Sequence, residues 1–562
     1  MQYFLGNDYY LLTLLSCVFF VILNVVFVFF ELKKAIKANF YKYFDFVYLF
    51  FAIAFVFVSR LYTFGCEVTN IDESFHIAIA LDFSKSLHFW NDFDPSSVGP
   101  INTLLFYLVS IFTGEMSYFT AKVTSFIVIV LSIIFTYYAL TKISKRYVVI
   151  PLLSCYAFYM VLPLSAQIVS YNSEYSLLLF FPIFLFCFVR FNESKLFQIL
   201  SFGILSLIPF CKLQFAPLAL FFYIYGLIKI FRIYGIKKEL ISTLLQIFGI
   251  SLVPVIVLVV DCWRNDSFVW FYRFFFVNMV SYIDVQTSLE GYWSNLKNIF
   301  YNNLFVFTFA IVATILAIIS LAQKQWKIVL FCFIILSLSL YEILKPYFPF
   351  FHYANILIIP LIYCIVILAK TIVFKFASII VCVISILFQC SQLYLFDEQF
   401  DQKSQIVVGS NSETFWKGIA LDIKNMSKPN DRLTVWGWFD ELYVYSQLPS
   451  GTAEIAIGGF VPSSFINRTY NEFTAEKFKT DLIKNKPRFF IDTPSPITKI
   501  YNSYKYSVKN YKEFADLINE NYHVLKQYFY PIDNVIECNF EVKNNEDNYQ
   551  KGCVITLYER NE

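Results

Sequence analysis

The sequence predicts an α-helical polytopic membrane protein with a small α/β domain at its C-terminal end, and two observations support this. Apolar residues make up 58% of the 562 residues and charged residues only 15%, whereas a soluble protein of this length carries about 25% charged residues. Runs of about 18–22 apolar residues recur as far as about Phe396, and such runs can cross a hydrocarbon core of about 30 Å. We therefore expect about 11–13 transmembrane helices within residues 1–396.

Residues 397–562 differ in composition, because the long apolar runs stop and short strand-like runs alternate with helix-like segments. The strand-like runs fall at 433–438, 488–492, 535–542 and 554–558, and the helix-like segments lie near 439–447, 473–484 and 509–527. This alternation predicts a small α/β domain, which we expect outside the cytoplasm.

Cys538 and Cys553 are the only cysteines beyond the predicted spans. If the runs 535–542 and 554–558 form a hairpin, the two thiols face each other, and an oxidising compartment permits a disulfide. The alternative is two unpaired strand cysteines that lie too far apart to be bridged.

Basic residues in short loops orient the chain, since such loops stay in the cytoplasm. Four lysines form the first basic loop: Lys33, Lys34, Lys37 and Lys42. The outer loop 64–99 and the domain 397–562 are therefore expected together on the opposite, outer side. The run 101–113 is too short for an easy span, which leaves the number of spans between 99 and 147 open. The net charge of only +3 gives no indication of a nucleic-acid partner.

The outer loop 64–99 contains two acids and a histidine at helical spacing. His76 follows Asp72 by four positions and Glu73 by three, so a helix places the three side chains on one side. A carboxylate at the membrane–water boundary can act as a general base and take a proton from an attacking hydroxyl group. The alternative is that acids at a helix start only stabilise the helix dipole, and the residue types alone do not choose between the two.

Several motifs together resemble a known family. An acidic pair in an outer loop followed by a Gly-Pro turn is similar to the GT-C superfamily of glycosyltransferases. Further stretches resemble its bacterial branch, which includes protein O-mannosyltransferases and the aminoarabinose transferases that modify lipid A. These stretches are Ser97-Val98-Gly99-Pro100-Ile101-Asn102, Tyr171-Asn172-Ser173-Glu174, Pro209-Phe210-Cys211-Lys212-Leu213-Gln214, Phe351-His352-Tyr353 and Val435-Trp436-Gly437-Trp438. The chain departs from the family in placing its acidic loop after the second span and in carrying Lys122 where many relatives have Arg.

The resemblance implies a glycosyltransferase that moves a sugar from a polyprenyl-phosphate donor to an envelope glycolipid, glycan or protein. It places the active site at the outer face of a bacterial inner membrane, in contact with membrane lipid. The implied catalytic residues are Asp72, as general base, and Glu73. The implied substrate-binding and lipid-phosphate-binding residues are His76, Glu174, Lys212, Gln214, His352 and Tyr353. No cofactor is firmly expected, although Asp72 and Glu174 could hold Mg²⁺ or Mn²⁺, because carboxylates are hard oxygen ligands.

Other interpretations remain open. Glu174 also suits a capping acid in a short turn, although a functional role is favoured for it. Lys212 is equally typical of a helix-end lysine that snorkels, and His352 of an interfacial aromatic belt. For the whole chain, the alternative is a glycan-lipid flippase, polymerase or ligase of envelope polysaccharide assembly. A flippase needs charged residues distributed through its central spans, whereas here the mid-span regions are nearly free of charge. This pattern favours an outer-face enzyme.

Overall fold

The structure, a computed structural model, shows a helical bundle followed by a small domain with one sheet. The described residues are 7–33, 41–67, 70–86, 88–96, 98–161, 166–279, 288–345, 351–372, 375–407, 411–455, 472–493, 507–531 and 552–561. The helices as far as the last apolar stretch are α1 (Asn7–Leu32), α2 (Tyr41–Arg60), α3 (Ile71–Ser86), α4 (Pro100–Thr113), α5 (Tyr118–Ile143), α6 (Arg146–Val161), α7 (Ala166–Val169), α8 (Tyr175–Val189), α9 (Lys195–Cys211), α10 (Ala216–Tyr234), α11 (Lys238–Arg264), α12 (Phe268–Phe271), α13 (Leu289–Asn302), α14 (Leu304–Ala322), α15 (Trp326–Leu344), α16 (Asn355–Thr371) and α17 (Lys375–Val407).

Nine apolar helices in the described part of the chain are long enough to cross a membrane: α1, α2, α5, α10, α11, α14, α15, α16 and α17. Four shorter apolar helices lie among them, namely α4, α6, α8 and α9. The predicted number of spans therefore requires that at least two of these shorter helices also cross. The shortest, α4, has 14 residues and rises only about 21 Å, so it is the least able to span alone. The chain is a multi-pass integral membrane protein.

The centre of the bundle is formed by helices that are apolar on every side. All residues from Val148 to Val161 in α6 are buried, as is nearly all of α16. A helix that is hydrophobic all round belongs in a core, and α6 packs against α1, α5 and α17. Within this core, Asn24 donates a hydrogen bond to Gln389 (3.1 Å) and accepts one from Ser154 (2.8 Å), which links α1, α6 and α17.

The C-terminal region contains a four-stranded sheet, which confirms the predicted α/β domain. Its strands are β1 (Leu433–Trp436), β2 (Phe489–Asp492), β3 (Tyr522–Pro531) and β4 (Gly552–Arg560), in the order β1-β2-β4-β3. β1 and β2 are parallel, and β4 is antiparallel to both of its neighbours. The accompanying helices are α18 (Asn411–Met426), α19 (Glu441–Ser446), α20 (Glu472–Asn485) and α21 (Lys512–Asn521).

Two details of this domain differ from the prediction. The helix-like segment 509–527 ends at Asn521, and its remainder belongs to β3, where aromatic and β-branched residues favour a strand. Residues 556–558 have β2 on one side and β3 on the other, so the predicted hairpin with 535–542 was wrong there. The run 535–542 and Cys538 lie outside the described residues, and the predicted disulfide stays a prediction.

Helix α3 joins the membrane bundle to the C-terminal domain. Ala78 and Ile79 pack in one apolar cluster with Phe439 and Leu442 of that domain. Near the other end of α3, the carboxyl group of Asp82 accepts a hydrogen bond from the backbone N–H of Ser450 (2.6 Å). The acidic segment is therefore held between the two parts of the chain.

Candidate active site

The first turn of α3 carries the predicted acids. Asn70 precedes the helix, and its side-chain oxygen accepts a hydrogen bond from the backbone N–H of Asp72 (3.3 Å), as a helix cap does. Asp72 and Glu73 follow at the positive end of the helix dipole, where negative charge is stabilised. The helix predicted from the spacing of Asp72, Glu73 and His76 is confirmed.

Glu73 points into the protein. Its carboxylate forms an ion pair with Lys122 of α5, and both side chains are completely buried. The second oxygen of Glu73 accepts a hydrogen bond from the backbone N–H of Tyr171 at 3.0 Å. Glu73 therefore links α3, α5 and the segment that precedes α8. Lys122, whose role the resemblance left in doubt, is the cation that neutralises this buried acid.

A second cluster surrounds Glu174, which directly precedes α8. Its Oε1 accepts hydrogen bonds from Nζ of Lys212 (2.9 Å) and from the hydroxyl of Ser173 (3.0 Å). Its Oε2 lies 3.7 Å from Nε2 of His352. Burial raises the pKa of Glu174, but the charges of Lys212 and His352 and these hydrogen bonds outweigh burial and hold the pKa at about 2. The carboxylate is therefore ionised at physiological pH.

Lys212 is held in place by three groups. Besides Glu174, its ammonium donates to the hydroxyl of Ser173 (2.8 Å) and lies 4.6 Å from the centre of the Tyr353 ring. Its backbone is extended between the end of α9 and the short helical turn Leu213–Phe215. Tyr353 and His352 come from another short turn, Phe351–Ala354, at the start of α16. The structure thus joins three of the sequence motifs at one place.

The pKa of Asp72 depends on the charges of this cluster. Burial raises the pKa of the Asp72 carboxyl group, while the charges on His352 and Lys212 lower it and that on Glu174 raises it. The side chain is partly exposed, and no described residue donates a hydrogen bond to its carboxylate. Asp72 is therefore an acid to whose carboxylate no described residue donates a hydrogen bond, and the Lys212 ammonium and the His352 imidazole lie within range of its charge.

His76 lies buried on the same side of α3. Its ring packs edge-to-face on the ring of Tyr171, with 5.6 Å between the ring centres. Burial lowers its pKa to about 3, against the opposing charge of Glu174, so the imidazole is neutral at physiological pH. The structure therefore brings together Asp72, His76, Glu174, Lys212, His352 and Tyr353.

The Gly-Pro turn requires glycine at position 99 for a steric reason. Gly99 has φ +93°, and a Cβ atom there would lie 1.6 Å from the carbonyl oxygen of Cys211. Only glycine permits this approach of the turn to the end of α9, directly before Lys212. A few residues later, Asn102 accepts a hydrogen bond from the hydroxyl of Tyr171 (2.8 Å) and donates one to the backbone of Asn172 (3.2 Å). The first three motifs after the acidic pair are thus in mutual contact.

Gln214 stands apart from this cluster. Its amide nitrogen donates to the backbone carbonyl of Glu342, at the end of α15. The carboxylate of Glu342 accepts the backbone N–H of Leu218 in the first turn of α10 (3.0 Å). The phosphate-binding role predicted for Gln214 stays a prediction, because its described contact is to protein backbone.

Sequence reasoning did not select Glu342 or Arg60, although both are buried charges at the ends of apolar runs. Arg60 donates to the backbone carbonyls of Met160 (2.9 Å) and Val169 (2.5 Å). It therefore contacts the ends of α6 and α7, which precede Glu174 in the chain. Charged residues at membrane depth are costly and usually have a specific role. A search of the apolar runs for single charges would have found both.

The fold agrees with solved membrane-protein structures. ArnT from Cupriavidus metallidurans bound to undecaprenyl phosphate matches with a TM-score of 0.52 and 13% identity, over 93% of this chain and 98% of that chain. ArnT in the apo state matches with a TM-score of 0.54 and 11% identity, over 91% and 97% of the two chains. Archaeal oligosaccharyltransferase AglB from Archaeoglobus fulgidus, in complex with an inhibitory peptide and a dolichol-phosphate, matches with a TM-score of 0.50 and 12% identity, over 89% and 75%.

These similarities show a shared fold. The chain is a multi-pass membrane protein with the GT-C fold, as the sequence motifs predicted. The structures of ArnT and of the archaeal oligosaccharyltransferase are among the solved structures that share this fold. No family model and no curated protein matches the sequence.

Proposed function

We propose that this chain is a glycosyltransferase that moves a sugar from a polyprenyl-phosphate donor to an acceptor of the cell envelope. The observation that carries the proposal is the position of Asp72, to whose carboxylate no described residue donates a hydrogen bond, near the Lys212 ammonium and the His352 imidazole. The fold supports it, since the matching ArnT structure holds undecaprenyl phosphate and the matching oligosaccharyltransferase structure holds a dolichol-phosphate.

The donor phosphate binds at Lys212, His352 and Tyr353. An ammonium group has three N–H donors, and two of those on Lys212 are directed to Ser173 and Glu174. Within the described part of the chain the third N–H has no hydrogen-bond acceptor, and we assign it to an oxygen of the phosphate. Cations aimed at the leaving phosphate stabilise the negative charge that develops on it in the transition state. Glu174 positions Lys212 through the hydrogen bond from its ammonium and lies 3.7 Å from the His352 ring, and the low pKa of Glu174 keeps its carboxylate charged.

Asp72 acts as the general base in the transfer step. The acceptor hydroxyl oxygen attacks the anomeric carbon of the donor sugar, and its proton passes to a carboxylate oxygen of Asp72. The bond between the anomeric carbon and the phosphate oxygen breaks, and the polyprenyl phosphate leaves with the bonding electrons. Glu73 is a positioning residue in this scheme, because its carboxylate is occupied by Lys122 and Tyr171.

A metal ion has no assigned step in this scheme. No group of three or more His, Cys, Asp or Glu side chains in the described ranges is arranged to hold a metal ion. Glu174, one of the two acids considered for Mg²⁺ or Mn²⁺, already forms an ion pair with Lys212 at 2.9 Å. An ammonium group on this carboxylate does not suit a divalent cation, so Glu174 as it is arranged does not fit a metal site.

We further propose that the reaction takes place at the outer face of a bacterial inner membrane. The basic loops predict that α3 and the C-terminal domain share the outer side, where envelope acceptors lie. The buried charges Arg60, Lys122 and Glu342 lie near the ends of their helices. This supports an enzyme over a flippase, which needs charged groups along its central spans.

The proposal is tested by comparing envelope glycolipids and proteins from cells with and without this gene, by mass spectrometry. We expect one class of molecule to lose the mass of a single sugar unit when the gene is deleted and to regain it on complementation. Purified protein should also transfer the same mass from a polyprenyl-phosphate sugar fraction to that class. Identical mass profiles with and without the gene would contradict the proposal.

A further inference from the structure

The start of α10 is capped by a residue from another helix. The first N–H groups of a helix have no partner within it, and the side chain of the preceding residue commonly accepts one of them. Phe215 holds that position here, and its side chain has no acceptor atom. The acceptor comes from α15, where Oε1 of Glu342 accepts a hydrogen bond from the backbone N–H of Leu218 at 3.0 Å. The two residues are 124 positions apart in the chain.

Glu342 holds the same segment a second time, through its backbone. Its carbonyl oxygen accepts a hydrogen bond from the side-chain amide of Gln214, which lies two positions after Lys212. The Glu342 side chain itself is buried, so its carboxyl group lies in apolar surroundings, where such a group is costly and usually has a specific role. Both contacts of Glu342 with α10 and the turn before it fall within residues 214–218. Glu342 therefore fixes this short segment to the end of α15.

The position of Lys212 depends on the segment that Glu342 holds. Its backbone is extended between the end of α9 and the turn Leu213–Phe215, and its carbonyl oxygen accepts the backbone N–H of Phe215 at 3.0 Å. No side chain of the turn itself caps it. On the other side of Lys212, the carbonyl group of Cys211 lies against the Gly-Pro turn. The lysine backbone is thus held between two fixed points, of which Glu342 supplies the second.

We propose that Glu342 is a positioning residue for donor binding: its hydrogen bond to the start of α10 holds the turn 213–215, and this turn directs the Lys212 ammonium to the donor phosphate. A lysine side chain is a flexible four-carbon stem, so its ammonium is directed to one point only when its backbone and its partners are fixed. Ser173 and Glu174 fix the ammonium end, and Glu342 fixes the backbone end. This inference rests on the proposed transferase function and deepens it, because it adds a residue that sets donor affinity without touching the donor.

The test measures binding of undecaprenyl phosphate to purified full-length protein by native mass spectrometry, in a double-mutant cycle with Lys212. Glu342→Leu should weaken binding at least about fivefold, but change it less than about twofold when Lys212→Met is already present. Glu342→Gln keeps an oxygen acceptor for the N–H of Leu218, so its affinity should stay within about twofold of wild type. The control Ser194→Ala removes the cap at the opposite end of α9 and should leave the affinity unchanged.

The dependence on Lys212 separates positioning from a merely structural role. An unchanged affinity in Glu342→Leu, an equal loss in both backgrounds, or a clear loss in Glu342→Gln would overturn the inference. If Glu342→Leu does not fold, Glu342→Asp, which retracts the carboxyl group by one methylene group, is measured in both backgrounds with the same dependence on Lys212 expected. If Lys212→Met weakens binding and the Glu342 variants do not, the phosphate site stands without this residue. If Lys212→Met binds as wild type does, the proposed phosphate site and this inference fall together.

Discussion

Glu73 and Lys122 form a fully buried ion pair between α3 and α5, and the backbone N–H of Tyr171 donates to the second oxygen of Glu73 at 3.0 Å. The two adjacent acids of the motif therefore differ in their surroundings. Glu73 is enclosed and neutralised, whereas Asp72 is partly exposed and near Lys212 and His352. Adjacent positions on a helix point about 100° apart, so one acid can anchor the helix while its neighbour faces the site.

The first prediction concerns the stability of this pair. Glu73→Gln or Lys122→Met alone should destabilise the protein by about 3–5 kcal/mol. Each substitution leaves the other member of the ion pair without its partner in an apolar interior. The double variant should be more stable than the sum of the single losses suggests. Unfolding of purified protein in one detergent measures all three. The control Glu193→Gln breaks the exposed pair with Lys142 and should have little effect. Additive losses in the double variant would show that the two residues are not coupled.

The second prediction concerns the base. Asp72→Asn should lower kcat by about 10²–10⁴-fold, since it removes proton acceptance at nearly constant shape. Its Tm should match wild type, because no described residue donates a hydrogen bond to this carboxylate. In wild type, the apparent pKa on the acid side of the kcat/KM pH profile should lie above the ordinary aspartate value. Burial raises the pKa of Asp72, and activity requires its ionised form. Asp516→Asn is the matched control, and a turnover above half of wild type in Asp72→Asn would refute the assignment.

The third prediction concerns donor binding. Lys212→Met should weaken binding of undecaprenyl phosphate at least about tenfold, since it removes the cation that faces the phosphate. Lys212→Arg should bind better than Lys212→Met, because it restores the charge near Glu174. Binding to purified protein can be followed by native mass spectrometry, with exposed Lys424→Met as the control. Equal affinities of wild type and Lys212→Met would remove the phosphate site from this position.

Local spacing predicted α3 and its acids, because the positions of Asp72, Glu73 and His76 on a helix follow from helical geometry alone. The partner of Glu73 could not be found in this way, since Lys122 lies 49 positions further along the chain. The contact of Gln214 with the backbone of Glu342 spans 128 positions and could not be found from local spacing either. The first part of strand β3, residues 522–527, was assigned to a helix because its pairing with β4 joins positions far apart in the chain.

The fourth prediction concerns topology. Cysteines introduced at the exposed positions Lys85 and Asp516 should react with a membrane-impermeant maleimide in intact cells, because the basic loops place both segments outside. A cysteine at Lys237, in the exposed turn before α11, should react only after permeabilisation. The background must lack native reactive thiols, Cys390 in particular, because this residue is exposed. Labelling of position 237 alone in intact cells would invert the orientation and place Asp72 in the cytoplasm.

The last prediction concerns the contact between α3 and the C-terminal domain. Burial raises the pKa of Asp82 to about 8, against the hydrogen bond from Ser450 and the charge of Arg432, which lower it. Because the folded-state pKa lies above that of the unfolded chain, the folded protein retains this proton over a pH range in which the unfolded chain has lost it. The stabilisation is thus complete below about pH 4 and disappears as the pH rises towards 8. Asp82→Asn stays neutral, so its Tm should fall less than that of wild type between pH 5 and 8. Parallel Tm profiles for the two proteins would show that Asp82 is already ionised at pH 5, and that α3 is held to the domain by a charged carboxylate.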